Sequence, residues 1–309
     1  MSEDWPATTT HPLVVVVGHG DVRSLTEPLA SVPDVTVRDA IPAPATNGDR
    51  EAAGAAVTMF VTDLTATIAP TARDRLARRD GLTLSVVAAP ASDDSLDATT
   101  ARTAQWLRGA VDAMVVVEPA HHDPGVRQVV STCADIISRP GVINLDLADI
   151  GTVLGSGRVA AITTGVTPEA EDMAVTAVSA VEEALSAPAV DIGDYTAILV
   201  NLVAGSELTI SSAVEAVDGI QASVPDDAHL IWGTAVDDSL SDVHAQVVAA
   251  GNDSPTFDAI VERASHPDPG PNNCPRCGGH IAVYSLGDRE TRACEDCGFA
   301  DTPGVGTRS

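Results

Sequence analysis

The sequence predicts an α/β protein of two domains with a small metal-bound appendage. Three observations predict it. Runs of β-branched residues alternate with helical segments through the first part of the chain, a second strand and helix alternation follows one long apolar-periodic helix, and two C-x-x-C pairs stand near the C-terminus.

The runs LVVVVG (13–18), VTMFVTD (57–63), TLSVVAAP (83–90) and AMVVVEP (113–119) end in Gly, Asp or Pro. Continuous apolar runs of this length fit parallel strands buried on both faces. Between them TARDRLARRDG (71–81) and LDATTARTAQWLRGAVD (96–112) read as helices, which makes residues 13–124 a doubly wound domain after a tail at 1–12. Residues 125–140 form one helix, stopped by Pro140 and Gly141. A second domain is expected over 141–251. Its strands are VAAITTG (159–165), AILVNLV (197–203), HLIWGTAVD (229–237) and HAQVVAAG (244–251), and its helices lie at 168–186 and 210–224. Residues 252–272, with a short helix at most and the Pro/Gly-rich ASHPDPGPNN, read as a linker. The appendage covers 273–300 and a tail 301–309.

Composition bounds the compartment more than the ligand. Of 309 residues 44% are hydrophobic and mean hydropathy is +0.13, enough for sizeable cores. The net charge of −27 sets 44 acids against 17 basic residues, every one of them arginine, a pattern suited to a halophile's cytoplasm. In molar salt the Debye length is about 3 Å, so net charge does not decide what binds. No run reaches the roughly 20 apolar residues that span a bilayer, and the acidic start MSEDWPATTTHP is no secretory leader. A cytoplasmic protein without membrane insertion is expected.

Four of the five cysteines carry the sharpest motif. Cys274, Cys277, Cys294 and Cys297 form two C-x-x-C knuckles 16 residues apart, the spacing of a four-thiolate zinc site, with a hairpin between them turning at Gly287 and Asp288. So small a unit buries little core, whereas structural zinc supplies roughly 10–16 kcal/mol of apparent binding energy. A pair of disulfides is the alternative, disfavoured in a reducing compartment. His280 is a bystander, and Arg276, Arg289 and Arg292 against Asp288, Glu290, Glu295 and Asp296 give no phosphate-binding surface, so nucleic acid is not expected. Cys133, in an apolar-periodic helix, reads as a buried thiol.

Phosphate-binding signals are weak. GHGDVRS (18–24) offers Gly18 and Gly20 but has Arg23 where a third glycine would complete a dinucleotide fingerprint. No glycine occurs between Ala55 and Asp80. The loop TDLTATIAP offers Asp63 and the hydroxyls of Thr65 and Thr67, without the glycine backbone that lets phosphates approach. In GVINLDLAD (141–149), Asp146 and Asp149 have the spacing of a capping box, with Asn144 in the turn before it. A metal site or a catalytic pair are the other readings.

Residues 134–251 resemble the tubulin and FtsZ family, in particular the carboxyl half of FtsZ. ADIISRPGVINLDLADIGTVLGSG is similar to the end of its core helix and the following loop, and AILVNLVAGSELTISSAVEAVDGIQASVPDDAHLIWGTAVDDSL to its strand, helix and strand. Fainter likeness continues upstream through FVTD…AP, LTLSVVAAP and LRGAVDAMVVVEP. The resemblance implies an α/β fold with a Rossmann-like N-terminal domain, a core helix, an α+β FtsZ-type C-terminal domain and the zinc ribbon, in a divergent haloarchaeal FtsZ-like protein. It places Asn144, Asp146 and Asp149 in a loop that acts on a neighbouring subunit's nucleotide. It also implies that this chain's own site is degenerate at Gly18, Gly20, Asp63, Thr65 and Thr67, with Pro124 near the position of the family's guanine-holding acid. The cofactors expected are zinc and, against the family pattern, no GTP. The partner expected is an FtsZ-type filament subunit or a second copy, with other division proteins beyond it and the division site as the location. A GTPase with an altered loop, and a zinc-ribbon scaffold binding another partner or nucleic acid, are the alternatives.

Overall fold

The computed structural model describes residues 14–38, 56–64, 68, 76, 81–91, 96–168, 171–187, 195–265, 274, 280–286, 289–295 and 297–301. The first strands are β1 (Val14–His19), β2 (Val35–Arg38), β3 (Val57–Thr62), β4 (Leu82–Ala88) and β5 (Ala113–Val117). All pair in parallel, with β1 between β2 and β3. Valine dominates because a strand covered on both faces has no solvent side to make polar. Successive residues serve opposite layers: Val14 and Val16 join one core cluster, Val15 and Val17 another.

Among the described residues, four α-helices with defined bounds belong to this half or to its junction with the next. The single turn α1 (Arg23–Thr26) follows β1, and α2 (Ala98–Ala110) starts at Asp97, whose carboxylate accepts the Thr99 and Thr100 N–H groups at 2.8 and 3.0 Å. Of the helix expected at 71–81 only Leu76, helical and buried, and Gly81, a bend, are described. The core helix, α3 (His122–Ser138), begins three residues before the expected start. Pro124 is compatible because the first four N–H groups of a helix have no intrahelical partner. Burial of Cys133 against the sheet pushes its thiol up to about 12. The short α4 (Leu147–Leu154) follows.

The second half adds β6 (Val159–Pro168), α5 (Met173–Leu185), β7 (Tyr195–Ala204), α6 (Ile210–Ser223), β8 (His229–Val236) and β9 (Asp242–Gly251). One sheet of nine strands runs through both halves of the chain in the order β2-β1-β3-β4-β5-β6-β9-β7-β8. The seam is two residue pairs, Met114↔Val159 and Val115↔Ala160, and Met114 N–H also donates to the Arg158 carbonyl at 3.1 Å. Without β6 the buried edge of β5 would leave backbone donors and acceptors unpaired, which is costly. One core cluster, under α3 and α4, draws on β1, β6, β7 and β9 alike. At Gly165 α5 crosses so closely that a Cβ would strike the Ala180 carbonyl.

Residues 252–272, read as a linker, contain a docked helix, α7 (Pro255–Ser265). Phe257, Ile260 and Ala264 are buried, and Phe257 and Ile260 join Val15, Phe60, Leu107 and Met114 in one core. Arg108 pairs with Asp258 at 2.9 Å and lies 5.7 Å from the Phe257 ring centroid. The appendage is an antiparallel sheet of β10 (Ile281–Leu286), β11 (Arg289–Cys294) and β12 (Ala300–Asp301), in the order given. It extends one residue past the expected boundary at 300. The expected turn at Gly287 and Asp288 lies outside the described residues. Among the described residues no helix is long and apolar enough to cross a membrane.

Candidate functional site

In open α/β sheets ligands bind beyond the carboxyl ends of the strands, where the strand order reverses. Here the chain leaves β1 for β2 on one side and then returns to β3 on the other, so the switch point lies between β1 and β3. His19, ending β1, stacks on Phe60 of β3 with centroids 5.4 Å apart. Beyond it Gly20 turns with φ +84°, and the crevice is closed by Asp63. That carboxylate accepts the Asp21 N–H at 2.8 Å and lies so close that any Cβ on Gly20 would run into it. The next residue, Leu64, is buried with φ +66°, a left-handed conformation that costs a branched residue roughly 1–3 kcal/mol. Its N–H donates to Thr62 Oγ1 at 3.0 Å. The structure thus gathers Gly18, Gly20 and Asp63 at one place. Thr65 and Thr67 lie outside the described residues.

The acidic loop sits at the other end of the molecule. α3 starts where β5 delivers the chain, at the carboxyl edge of the sheet, and its 17 residues carry the chain about 25 Å away at 1.5 Å per residue. Arg139 closes the helix. Its guanidinium binds Asp135 at 2.9 Å and Asp237 at 2.8 Å. Gln246 donates to Asp135 and takes an Asn201 hydrogen bond at 2.7 Å. This chain of side chains ties α3 to β7, β9 and the residue that follows β8, and fixes the start of the loop. Val142 and Ile143 N–H then donate to the Thr234 carbonyl at 2.7 and 3.2 Å, and Gly141 N–H donates to Asn144 Oδ1 at 3.0 Å.

Asp146 and Asp149 form the capping box their spacing predicts. Asp146 Oδ1 accepts the Ala148 and Asp149 N–H groups at 2.7 and 3.1 Å, and Asp149 Oδ2 accepts the Asp146 N–H at 2.9 Å. The box occupies one oxygen of each carboxylate and leaves Asp146 Oδ2 and Asp149 Oδ1 without a hydrogen bond among the described residues. Cap and exposed acid pair are therefore one arrangement, in which the cap holds the charges still.

The Ser239 hydroxyl, then the Arg139 guanidinium, hold Asp237 down to about 2. A depressed carboxylate stabilises the fold above its unfolded value of about 3.9 and loses that contribution as pH falls through the folded value. Acid titration of wild type and Asp237→Asn, followed by thermal melting, is expected to show the wild-type midpoint falling towards pH ~2. The variant should show a shallower dependence over that window.

The thiols of Cys274, Cys294 and Cys297 lie within 4.8 Å of one another, with Cys274 Sγ 3.6 Å from Cys297 Sγ. Four thiolates at about 2.3 Å from zinc stand about 3.8 Å apart, whereas a disulfide needs about 2.05 Å. The donor set fits a metal better than a bridge. The second knuckle is shaped by Gly298, φ +71°, whose N–H donates to the Cys294 carbonyl at 3.1 Å. Cys277 lies outside the described residues. Missed from the sequence were the Asp135–Arg139 pair, visible in principle as an i, i+4 spacing, and the reach of Asp63 into the Gly20 turn, for which no local signal exists.

Residues 157–253 match the model of the FtsZ family, C-terminal domain. The cell division protein FtsZ of Haloferax mediterranei is 36% identical over 136 residues, covering 43% of this chain and 35% of the relative. FtsZ 1 of Halobacterium salinarum is 30% identical over 223 residues, 65% of this chain and 55% of the relative. The chain thus spans about a third to a half of the length of these relatives. Among solved structures, the FtsZ W319Y mutant of M. jannaschii covers 77% of this chain and 91% of its own, with TM-score 0.55 at 18% identity. CetZ of Methanosaeta thermophila covers 82% and 91%, with TM-score 0.59 at 12% identity. CetZ2 of Haloferax volcanii, a GTPγS-bound protofilament, covers 81% and 97%, with TM-score 0.56 at 14% identity. The fold of this chain is that of FtsZ and CetZ, and its sequence likeness, anchored in residues 157–253, supports the FtsZ family.

Proposed function

We propose that this is a cytoplasmic FtsZ-like protein without GTPase activity of its own, which joins tubulin/FtsZ-type filaments and caps or regulates them in cell division. The observation that carries the reading is Asp63. A phosphate brought to the Asp21 N–H would meet a carboxylate already bonded there, and like charges about 4 Å apart repel by roughly 4 kcal/mol at a protein surface. The same loop lacks glycine and strains Leu64, which favours a site filled from within. Support for the other half of the reading comes from the exposed Asp146 and Asp149 pair. About 25 Å of helix separates it from its own crevice, so any nucleotide it acts on belongs to another subunit, an arrangement compatible with the protofilament of CetZ2.

Carboxylates delivered across an interface contribute by positioning and electrostatics, the terms that dominate phosphoryl transfer. Asp149→Ala is expected to cost about 1 kcal/mol as half of a lost cap and to change the GTP turnover of an intact FtsZ-type subunit mixed with it. Co-sedimentation of the full chain with such a subunit in GTP tests docking, and titration with GTP tests the Asp63-filled site. Absence of association at every ratio would remove the filament role, and micromolar GTP binding would restore the GTPase reading.

For the appendage, the thiol spacing supports a structural zinc held by Cys274, Cys277, Cys294 and Cys297. When bound it cross-links β11 to the chain before β10. The mixed charges of the appendage give no support to a nucleic-acid surface.

A further inference from the structure

The strand β10 (Ile281–Leu286) is one edge of the appendage sheet. Its hydrogen-bonding phase is fixed by the Glu295 N–H, which donates to the His280 carbonyl at 3.3 Å. In an antiparallel pair hydrogen-bonded and non-hydrogen-bonded positions alternate. Ala282, Tyr284 and Leu286 therefore bond to β11 opposite Ala293, Thr291 and Arg289, whereas the N–H and C=O groups of Ile281, Val283 and Ser285 point away from the sheet. Among the described residues no hydrogen bond reaches these outward groups.

Folded proteins blunt such edges with charges, proline or a bulge. IAVYSL has none of the three, in a chain with 44 acids and 17 basic residues. Its two central side chains, Val283 and Tyr284, are each 52% exposed, so no other part of the chain covers them. Among the described residues they are the exposed large hydrophobics that lie outside 141–251.

The partner that fits this edge is a second copy of it. Two β10 strands laid antiparallel about a two-fold axis at Val283 set Val283 opposite its own counterpart and each Ile281 opposite a Ser285. Every outward group of both copies is then paired, whereas two-fold registers centred on Ala282 or Tyr284 leave some of them open. On one face the two valines cover each other. On the other, Tyr284 lies over the partner copy's Ala282 at the closer spacing, about 4.5 Å between Cα atoms. Charge favours the same place. The chain carries −27 overall, but residues 274–301 hold three arginines against five acids, and none of these charges lies on β10. Here two acidic molecules repel least.

We propose that β10 is the surface through which two copies of this chain pair, edge to edge, into a two-fold dimer whose appendages form one continuous sheet. A strand pair of this length buries less than the roughly 1,200–2,000 Å² of a standard stable interface, so the dimer forms and dissociates with concentration. The pairing does not rest on the filament reading. Its consequence does, because a dimer presents two acidic loops and so links two filament subunits.

The test is sedimentation velocity of the full chain over a concentration series, with amide hydrogen exchange read by NMR on the same samples. A reversible monomer–dimer equilibrium is expected. The amides of Ala282 and Tyr284, bonded within the hairpin, should be protected at every concentration. Those of Ile281, Val283 and Ser285 should be protected only where the dimer is populated. Val283→Lys sets two ammonium groups face to face at the axis and should weaken the dimer about tenfold or more, with Ala282 and Tyr284 still protected. Val283→Thr, which keeps the strand and loses only the apolar contact, should weaken it by a smaller factor. Asp149→Ala should dimerise as the wild type does, and failed co-sedimentation with an FtsZ-type subunit leaves the dimer standing. A chain monomeric at every concentration, a dimer that protects none of the three outward amides, one indifferent to both Val283 variants, or one lost with Asp149→Ala would overturn the proposal.

Discussion

Stripping zinc from the full chain is expected to unfold residues 274–301 and leave the nine-stranded sheet standing. Among the described residues the appendage has a core of Cys274, Ile281 and Cys294, with Cys297 and Phe299 against it, and a unit of under thirty residues is too small to offset the entropy of ordering its three strands. Zinc on four thiolates supplies roughly 10–16 kcal/mol of apparent binding energy. Metal analysis should give one zinc per chain. Chelation, or Cys294→Ser, should abolish hydrogen-exchange protection of β10 and β11 while the amides of β1 to β9 keep theirs. Protected strands in protein without zinc would overturn the assignment, and protection lost on adding a reductant would return the disulfide alternative.

Phe257→Ala is expected to destabilise the main body by about 3–5 kcal/mol, as large aromatic truncations in closed cores do. The ring has no solvent exposure and packs with Phe60, Leu107 and Met114. Its loss would leave a cavity and free Arg108 from the ring it covers. Urea titration followed by circular dichroism should show a lower midpoint with unchanged slope. Were 255–265 a passive tether, the change would stay within about 0.5 kcal/mol, as for ordinary surface substitutions.

What the sequence disclosed was mostly local. Buried parallel strands declare themselves by unbroken runs such as VVVV, and the capping box by two aspartates three apart, because the forces shaping them act within a few residues. The α7 helix had the right period in Phe257, Ile260 and Ala264, but its Pro/Gly-rich flank suggested a linker, and only contact with β1, β3 and α2 shows why it folds. The seam at Met114 and Val159 joins residues 45 apart in number, and although both side chains enter one core, any buried apolar run could have supplied them, so no side-chain pattern marks it. The crevice residues divide the same way. The lack of glycine around Asp63 was legible, whereas its hold on the Asp21 N–H depends on β1 and β3 lying side by side.

The buried thiol on α3 has a use for the experimenter. Electrophiles attack thiolates, and a group pushed up to about 12 is almost wholly protonated at neutral pH as well as shielded by the sheet. Alkylating reagents should therefore read two events separately in one molecule. Rapid labelling reports release of the thiols of the appendage, while labelling of Cys133 waits for the main body to open, so its rate is a clock for global unfolding.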